Sequence, residues 1–246
     1  MSETSLYSCL VNSAMDYIRS DIILDCAIGK NSLSIHCGEG TGLAYTTAEA
    51  WQSAVALSPG NVEKSVCGRK LSEVIADYMG SDPLAVNIAL AAINAVHAHR
   101  GEPDEINWFE WLRGKKRLGM VGYFCPIMER IGLTGVEPVI FELRPIPGTH
   151  RPEEAPELMP TCDAVLITGS SFANKSVHTY LPYVSPSADA FILGHTTPLS
   201  DCLLDRFTLG SIQVLDKDSL FAAIRQGQGI RDVKAYIRKV ICRGMQ

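Results

Sequence analysis

The stretch from Cys162 to Ser176 places a dense group of polar side chains directly after a predicted strand. The apolar run 164–167 has the length of a buried strand, and small polar residues follow it at Thr168-Gly169-Ser170-Ser171. The run Asn174-Lys175-Ser176 then precedes a predicted helix, whose first backbone N–H groups would face the space beyond the strand. Because ligands of open α/β sheets lie outside the carboxyl ends of the strands, the pattern predicts a site for a polar or anionic ligand. The alternative is a well-capped loop that binds nothing.

A histidine follows the fourth strand that we predict in the second half of the chain. His195 lies in the segment Gly194-His195-Thr196-Thr197-Pro198, at the carboxyl end of that strand. An imidazole at such a point can transfer a proton or bind a metal near neutral pH. We therefore expect His195 to act as a catalytic acid or base, with Thr196 and Thr197 as ligand contacts. A histidine that only hydrogen-bonds its own loop is the alternative.

The first predicted crossover of the second half contains half of a dinucleotide-binding pattern. Glu142 lies 20 positions after Gly122, the spacing at which an acid accepts hydrogen bonds from a ribose in such sheets. Tyr123 and Phe124 stand where glycines would let a pyrophosphate approach, so we expect no nicotinamide cofactor, and the sequence identifies no other. Glu142 is a second candidate acid or base, with Gly122 and Tyr123 beside the ligand. A solvated strand end is the alternative reading of Glu142.

A glycine-rich turn, Gly38-Glu39-Gly40-Thr41-Gly42, joins two predicted strands of the first half. Glycine permits positive φ and close approach to a ligand, and Glu39 supplies a carboxylate. Glu39 is therefore the third candidate acid or base and Thr41 a candidate ligand contact, while a plain turn is the alternative. The sequence contains no Gly-x-Ser-x-Gly, His-Glu-x-x-His or P-loop motif, and nothing in it favours a Ser-His-Asp triad.

In the first half of the chain, a small meander and several helices are predicted, and these elements should position the glycine-rich turn. An amphipathic helix is predicted over 5–19, and three strands over 22–28, 33–37 and 42–46. A loop is predicted at 58–61, a helix around 71–78, and a nearly all-apolar helix from Pro83 to about His99. Asn87 and Asn94 share one face of that last helix. Buried amides need partners, so these two either cap loops of the meander or line a pocket.

The second half should position His195, Glu142 and the 168–176 loop with a parallel sheet. The charged segment 100–105 is predicted to separate two domains, 1–100 and 101–246. Beyond it, strands alternate with helices, which predicts crossovers between parallel strands. The strands are expected at 118–123, 136–143, 164–168, 190–193 and 212–215. The helices are expected at 126–131, 153–159, 177–183, 199–204 and 218–225, and an amphipathic helix is expected to close the chain over 231–243.

Composition narrows the class of partner. The net charge is −5 with acids and bases interspersed, which predicts no nucleic-acid partner and no membrane anchor. The N-terminus lacks a signal-peptide pattern and no window has the apolar length of a membrane span, so a cytoplasmic protein is expected. The 8 cysteines form no Cys-x-x-Cys pair, which favours reduced structural thiols over a metal cluster. A small-molecule partner is favoured, and a homo-oligomer stays open.

Five short motifs occur in an order that resembles the putative heavy-metal chelation domain family. They are 40–44 (Gly-Thr-Gly-Leu-Ala), 92–95 (Ala-Ile-Asn-Ala), 121–124 (Val-Gly-Tyr-Phe), 167–175 (Ile-Thr-Gly-Ser-Ser-Phe-Ala-Asn-Lys) and 193–199 (Leu-Gly-His-Thr-Thr-Pro-Leu). The resemblance spans nearly the whole chain. It implies an α/β fold in which an enolase-N-terminal-like α+β domain, a meander plus helices, precedes a Rossmann-like, mostly parallel sheet with helices on both faces. It also implies a pocket between the domains and a role in condensation or hydrolysis during synthesis of pterin-, flavin- or siderophore-like chelators.

The residues and the resemblance together predict a small-molecule-binding protein or enzyme with an interdomain pocket. Because no histidines and cysteines cluster, the sequence predicts no metal ligands in the protein itself, and a small molecule that binds metal is the favoured ligand. The alternative from another class is a non-catalytic protein that binds a heavy metal, a metal chelate or a nucleotide-like ligand.

Overall fold

The computed structural model describes residues 3–132 and 134–244. Its first part runs from α1 to α5 and contains the meander. The elements are α1 (Glu3–Met15), β1 (Ile23–Ile28), β2 (Ser32–Cys37), β3 (Gly40–Tyr45), α2 (Ala48–Leu57), α3 (Pro59–Val66), α4 (Leu71–Ala76) and α5 (Pro83–Val96). A 3-10 turn, Asp77–Met79, continues α4.

The predicted meander is confirmed. The strands β1, β2 and β3 form an antiparallel sheet in that order, with Ile35 opposite Gly42 and His36 opposite Thr41. Helix α5 lies directly on this sheet, because a Cβ atom at Gly42 would stand 2.1 Å from the backbone nitrogen of Ala95. Apolar residues all round α5 allow its burial between the sheet and the rest of the chain.

The prediction missed α2, and the loop predicted at 58–61 is wrong because α3 begins at Pro59. Thr47 caps α2 by accepting a hydrogen bond from the backbone nitrogen of Ala50 at 3.2 Å. Proline suits the first position of a helix, where no backbone donor is needed. Ser58, at a φ of 67°, therefore makes an abrupt junction between two helices rather than the start of a loop.

The second part contains the larger sheet. Its elements are β4 (Glu102–Pro103), α6 (Trp108–Trp111), β5 (Arg117–Val121), α7 (Cys125–Ile131), β6 (Glu137–Phe141), α8 (Ala155–Leu158), β7 (Ala164–Thr168), α9 (Ser170–Ala173), β8 (Asp189–Leu193), α10 (Asp201–Leu204), β9 (Thr208–Val214), α11 (Lys217–Arg225) and β10 (Ile237–Cys242). The predicted helix over 177–183 is a pair of 3-10 turns, Ser176–Thr179 and Leu181–Tyr183.

The expected mostly parallel sheet is confirmed. Its order is β4-β10-β9-β8-β7-β5-β6, and the strands β5 to β9 run parallel to one another. The carboxyl ends of these strands therefore meet at one edge of the sheet. We call it the carboxyl edge, and Gly122, Glu142, Gly169 and Gly194 immediately follow β5, β6, β7 and β8 there.

The helix predicted over 231–243 is wrong. After a 3-10 turn, Lys234–Tyr236, the chain forms β10, which pairs antiparallel with β9 on one side and with β4 on the other. Ile237, Val240 and Ile241 are β-branched, and their spacing fits a helix as well as a strand. This segment forms a strand because β9 offers unpaired backbone groups along its edge. That pairing is a tertiary contact, which the spacing of apolar residues along the chain cannot predict.

The parallel sheet has a core on each face. Leu118, Met120 and Leu166 point to the layer that includes α6 and α7, whereas Val165 and Ile167 point to the opposite side. There they join a continuous apolar core with residues of α1, α4 and α5. The first part of the chain thus covers one face of the parallel sheet. The division into domains 1–100 and 101–246 stays a prediction. None of the helices in the described ranges is long and apolar enough to span a bilayer.

Candidate functional site

Two buried amides of α5 join the first part of the chain to the loops at the carboxyl edge. Asn87 accepts a hydrogen bond from the backbone nitrogen of Thr47 at 2.9 Å and donates to the carbonyl of Ala173 at 2.8 Å. Asn94 donates from Nδ2 to the carbonyl of Leu43 at 2.7 Å and to that of Thr196 at 3.1 Å. Their spacing of seven residues puts both on one helix face, so α5 fixes two loops of the larger sheet at once.

The loop after β8 folds tightly against the meander. Gly194 adopts a φ of 136°, and its carbonyl accepts a hydrogen bond from the backbone nitrogen of Thr197 at 2.9 Å. Thr196 accepts a hydrogen bond through Oγ1 from the backbone nitrogen of Tyr45, also at 2.9 Å. A Cβ atom at Gly169 would lie 2.5 Å from Oγ1 of Thr197. The backbone of the loop after β7 therefore packs against the Thr197 side chain in the loop after β8. His195 as a whole is half-buried there, and its Nε2 atom is buried.

A small cavity lies between the two parts of the chain at this point. Its volume is ≈ 10 Å³, and we call it the shared cavity. The polar residues that line it come from β3, from α5 and its C-terminus, from the loop after β8 and from β9. They are Thr41, Asn94, His97, His195, Thr197 and Ser211.

Buried polar atoms concentrate around the shared cavity. Five of them have no hydrogen-bond partner among the described residues: Oδ1 of Asn94, both ring nitrogens of His97, Nε2 of His195 and Oγ1 of Thr197. Both hydrogens on Nδ2 of Asn94 are donated to carbonyl oxygens. The Oδ1 atom of Asn94 is therefore the part of the side chain that can still accept a hydrogen bond. Burying a polar group without a hydrogen-bond partner destabilises the folded protein. Five such atoms around one cavity therefore indicate that a polar molecule binds there.

The two imidazoles of the shared cavity are neutral near pH 7. Burial lowers the pKa of His195 to about 4. Burial also lowers the pKa of His97 to about 4, and the nearby guanidinium of Arg100 acts in the same direction. Taking a charge out of water disfavours the protonated ring, and the carboxylate of Asp201 only partly offsets this at His97. Each neutral ring therefore offers one N–H donor and one nitrogen lone pair at neutral pH.

An ion-paired cluster closes the side of the shared cavity behind His97. The ring of His97 packs at 5.1 Å from the ring of Tyr17, whose hydroxyl donates to Oδ2 of Asp201 at 2.8 Å. Arg100 forms an ion pair with the same carboxylate and stands over the Tyr17 ring at 5.2 Å. These contacts hold His97 in one orientation.

The structure brings some of the sequence-predicted residues together and separates others. Thr41, His195 and Thr197 line the shared cavity. Thr196 and Gly169 do not line it, but they contact Tyr45 and Thr197 next to it. Glu39 does not line it. Its Oε1 accepts hydrogen bonds from the backbone nitrogens of Arg19 and Ser20, at 2.5 and 2.9 Å. Partial burial acts to raise the pKa of Glu39, but these backbone donors outweigh it and the pKa is lowered. Glu39 thus ties the segment between α1 and β1 to the turn before β3.

The second predicted carboxylate, Glu142, lies at the carboxyl edge away from the shared cavity. Its oxygens accept hydrogen bonds from the backbone nitrogens of Tyr123, Leu143 and Arg144 at 3.3, 3.0 and 3.4 Å. Gly122, at a φ of 86°, lies against the methyl group of Thr168. Glu142 therefore connects the ends of β5 and β6.

The loop after β7 makes internal and inter-part contacts that the sequence did not reveal. Ser171 is buried and donates to the carbonyl of Thr168 at 2.6 Å, while the backbone nitrogen of Ser170 donates to the Thr168 hydroxyl at 3.3 Å. Asn174 accepts from the backbone nitrogen of Ser176 at 3.0 Å. Lys175 donates to the carbonyl of Gly80 at 2.7 Å. The short helix α9 follows β7, and the helix predicted after 174–176 is replaced by 3-10 turns that begin after Lys175, a residue in the left-handed conformation.

The sequence analysis left open that Asn94 lines a pocket, which it does, but it assigned no role to His97. His97 lies within the helix predicted from Pro83 to about His99, follows Asn94 by three positions and shares its face of α5. The available signal was the interruption of an otherwise apolar helix by Asn87, Asn94 and His97 along one stripe.

Comparisons with known proteins agree with this architecture. A family model described as "Putative heavy-metal chelation" (DUF364) matches residues 107–243, and a second with the same description (DUF4213) matches residues 11–97. A solved structure of a protein with unknown function from the DUF364 family of Desulfitobacterium hafniense DCB-2 is 20% identical, with a TM-score of 0.79, over 98% of this chain and 98% of that one. A DUF364 protein with unknown function from Pyrococcus horikoshii is 19% identical, with a TM-score of 0.79, over 96% of this chain and 99% of that one.

At these identities the likeness to solved structures shows the fold alone. No curated protein matches this chain. The DUF364 match covers more than half of the sequence, and the DUF4213 match covers most of the part before it. This chain therefore belongs to the putative heavy-metal chelation family.

Proposed function

We propose that this protein is an enzyme, or an enzyme-like binding protein, that handles a small metal-chelating molecule beside the shared cavity. The reaction class is the addition or removal of water, which means hydrolysis or condensation. One observation carries the proposal: five buried polar atoms without partners among the described residues surround a space of ≈ 10 Å³.

The size of the shared cavity supports a reaction that involves water. A space of ≈ 10 Å³ is close to the minimum that one water molecule needs, and water in a protein interior usually has two to four polar partners. Asn94, His97, His195 and Thr197 supply such partners. Water is consumed in hydrolysis and released in condensation, so one site that holds it next to a neutral imidazole serves either direction.

The residues divide into roles by their chemistry. His195 acts as the general base through Nε2, since its ring is neutral at pH 7 and offers a nitrogen lone pair. Oδ1 of Asn94 orients the water as an acceptor, and the Thr197 hydroxyl can donate or accept. His97 is the second proton acceptor and is held by the Tyr17 and Asp201 contacts.

The family description raises the question of direct metal binding. His97 and His195 offer two nitrogen donors, but among the described residues no group of three or more His, Cys, Asp or Glu side chains is arranged to hold a metal ion. Closed metal sites usually use about four ligands. The residues present do not fit a resident heavy metal, so no step is assigned to one, and a metal carried by the small molecule is the form we propose.

A ligand screen tests the proposal. Wild-type protein, His195→Gln and the control His99→Gln, which changes an exposed histidine of the same region, are screened by thermal shift with pterins, flavins, S-adenosylmethionine and nucleotides. Compounds that stabilise the protein are incubated in ¹⁸O-labelled water and analysed for a mass change of one water. We expect His195→Gln to keep the fold and lose the conversion, while His99→Gln keeps both.

Two outcomes contradict the proposal. One is conversion that survives His195→Gln and His97→Gln unchanged. The other is purification of the protein with stoichiometric metal that it holds without any small molecule, which would establish direct chelation instead.

A further inference from the structure

A second concave site lies at the carboxyl edge, apart from the shared cavity. The loop after β6 encloses a pocket of ≈ 310 Å³ whose lining includes Glu142, Arg144, Pro145, Thr149 and Arg151. None of its lining residues lines the shared cavity. Its volume falls at the lower end of the range of small-molecule sites, about 300–1,000 Å³.

The pocket is built by a loop that closes on itself. The backbone nitrogen of Glu142 donates to the carbonyl of His150 at 3.0 Å, and the nitrogen of His150 donates to the carbonyl of Ile140 at 2.7 Å. Between these points, Thr149 donates from both its backbone nitrogen and its hydroxyl to the carbonyl of Ile146. Pro145 and Pro147 flank that turn and restrict its φ angles. The loop therefore presents a shape that exists before any ligand arrives.

Two carboxylates already accept hydrogen bonds here: Glu142, which lines the pocket, and Glu154, which follows the loop in sequence. The carboxylate of Glu142 accepts three backbone N–H groups, and that of Glu154 accepts from the backbone nitrogen of Arg151 at 2.7 Å and from His150 at 2.9 Å. These donors occupy oxygens of both carboxylates and favour their charged form.

The cationic groups are not engaged in the same way. Neither the Arg144 nor the Arg151 guanidinium forms an ion pair with another residue of the described ranges, and both are exposed. Most arginines elsewhere in the chain do have an acidic partner: Arg69, Arg100, Arg113, Arg117, Arg225 and Arg243. Two guanidinium groups at one preformed pocket offer the planar, bidentate donors that carboxylates and phosphates accept.

We propose that the 142–151 loop is a binding site for a small organic anion, held by Arg144 and Arg151. The site does not depend on the function proposed for the shared cavity. The ligand class is a small molecule bearing carboxylate or phosphate groups.

Calorimetric titration with citrate, and separately with inorganic phosphate, tests the site at constant ionic strength adjusted with chloride. The proteins are wild type, Arg144→Gln, Arg151→Gln and the double variant. Arg231→Gln is the matched control, since it removes an exposed arginine that does not line the pocket. We expect saturable binding of at least one probe, weakened about tenfold by each pocket substitution and unchanged by Arg231→Gln.

Unfolding curves of the variants show that the fold is retained, since both arginines are exposed. His195→Gln should bind the probe as wild type does, which separates this site from the shared cavity. Absence of saturable binding for both probes overturns the proposal. So does binding that all arginine substitutions weaken equally, because that pattern indicates a general ionic effect.

Discussion

Asn94 on α5 donates a hydrogen bond to the carbonyl of Thr196, and this contact links the first part of the chain to the loop that carries His195. The same amide nitrogen also binds Leu43 on β3. One side chain therefore fixes the meander, the central helix and the loop after β8 relative to one another. The Oδ1 atom of the same side chain has no hydrogen-bond partner among the described residues, and for this reason we include Asn94 in the candidate site.

Asn94→Ala should destabilise the fold. It leaves the carbonyls of Leu43 and Thr196 without this donor in a buried place, which costs roughly 2–4 kcal/mol. Denaturant unfolding measures the loss, with Asn61→Ala as control because Asn61 is exposed on α3. A loss as small as that of the control would show that Asn94 does not connect the two parts.

Gly42→Ala should prevent close packing of α5 on β3. A Cβ atom there would stand 2.1 Å from the backbone nitrogen of Ala95 and 2.3 Å from the carbonyl oxygen of Ala91. Since helix backbone cannot yield as a flexible side chain can, we expect a loss of more than about 4 kcal/mol or no folded protein. Gly60→Ala is the matched control, because nothing lies within 4 Å of its added Cβ. Soluble expression and thermal unfolding of the two variants give the comparison, and equal stability would contradict the packing described.

Stability should fall as the pH is lowered below about 6.5. The pKa of His97 and that of His195 are both lowered to about 4 in the folded protein, whereas unfolded imidazole has its ordinary value near 6.5. Between these values the unfolded state binds more protons, so each ring removes up to about 1.4 kcal/mol per pH unit until the folded rings titrate near pH 4.

This pH dependence can be assigned by substitution. Urea unfolding at about pH 5 and about pH 7 should show a smaller difference in His97→Gln than in wild type, because one depressed imidazole is gone. His99→Gln should leave the difference unchanged. If the stability difference between the two pH values is the same in all three proteins, carboxylates elsewhere, and not His97, cause the loss of stability at low pH.

Glu39→Gln should not affect ligand handling. The side chain binds the backbone nitrogens of Arg19 and Ser20 and does not line the shared cavity. Loss of its charge should weaken these hydrogen bonds and cost about 1 kcal/mol of stability. The thermal-shift response to an active ligand should remain, in contrast to that of His195→Gln. Loss of the response in Glu39→Gln with the fold intact would restore Glu39 as a catalytic candidate.

Much of the architecture follows from the sequence, because local pattern and tertiary context agree there. The strand Ala164–Thr168 was predicted with its observed bounds, since an apolar run buried on both faces ends at Gly169. The strand β10 was not predicted, because its pairing with β9 and β4 overrides a pattern that also fits a helix.

The candidate site was only partly predictable. Turn composition drew attention to Thr41, His195 and Thr197, all of which line the shared cavity. It also drew attention to Glu39, whose partners Arg19 and Ser20 lie 20 and 19 positions away and form no motif with it. His97 could not be distinguished from a helix-end histidine, because its burial depends on the loop after β8 and on Tyr17. Convergence of distant segments is the information that a single sequence lacks.

Titration of the histidine rings by NMR tests the central claim most directly, since the proposed function requires neutral imidazoles enclosed between the two parts of the chain. Ring signals of His97 and His195 are assigned by comparison with His97→Gln and His195→Gln and followed from pH 7 downward. We predict that both rings stay neutral at pH 6 and titrate near pH 4. Titration of both rings near the ordinary value of 6.5 would show that water reaches them freely, and that result would contradict a closed polar cavity as the functional centre.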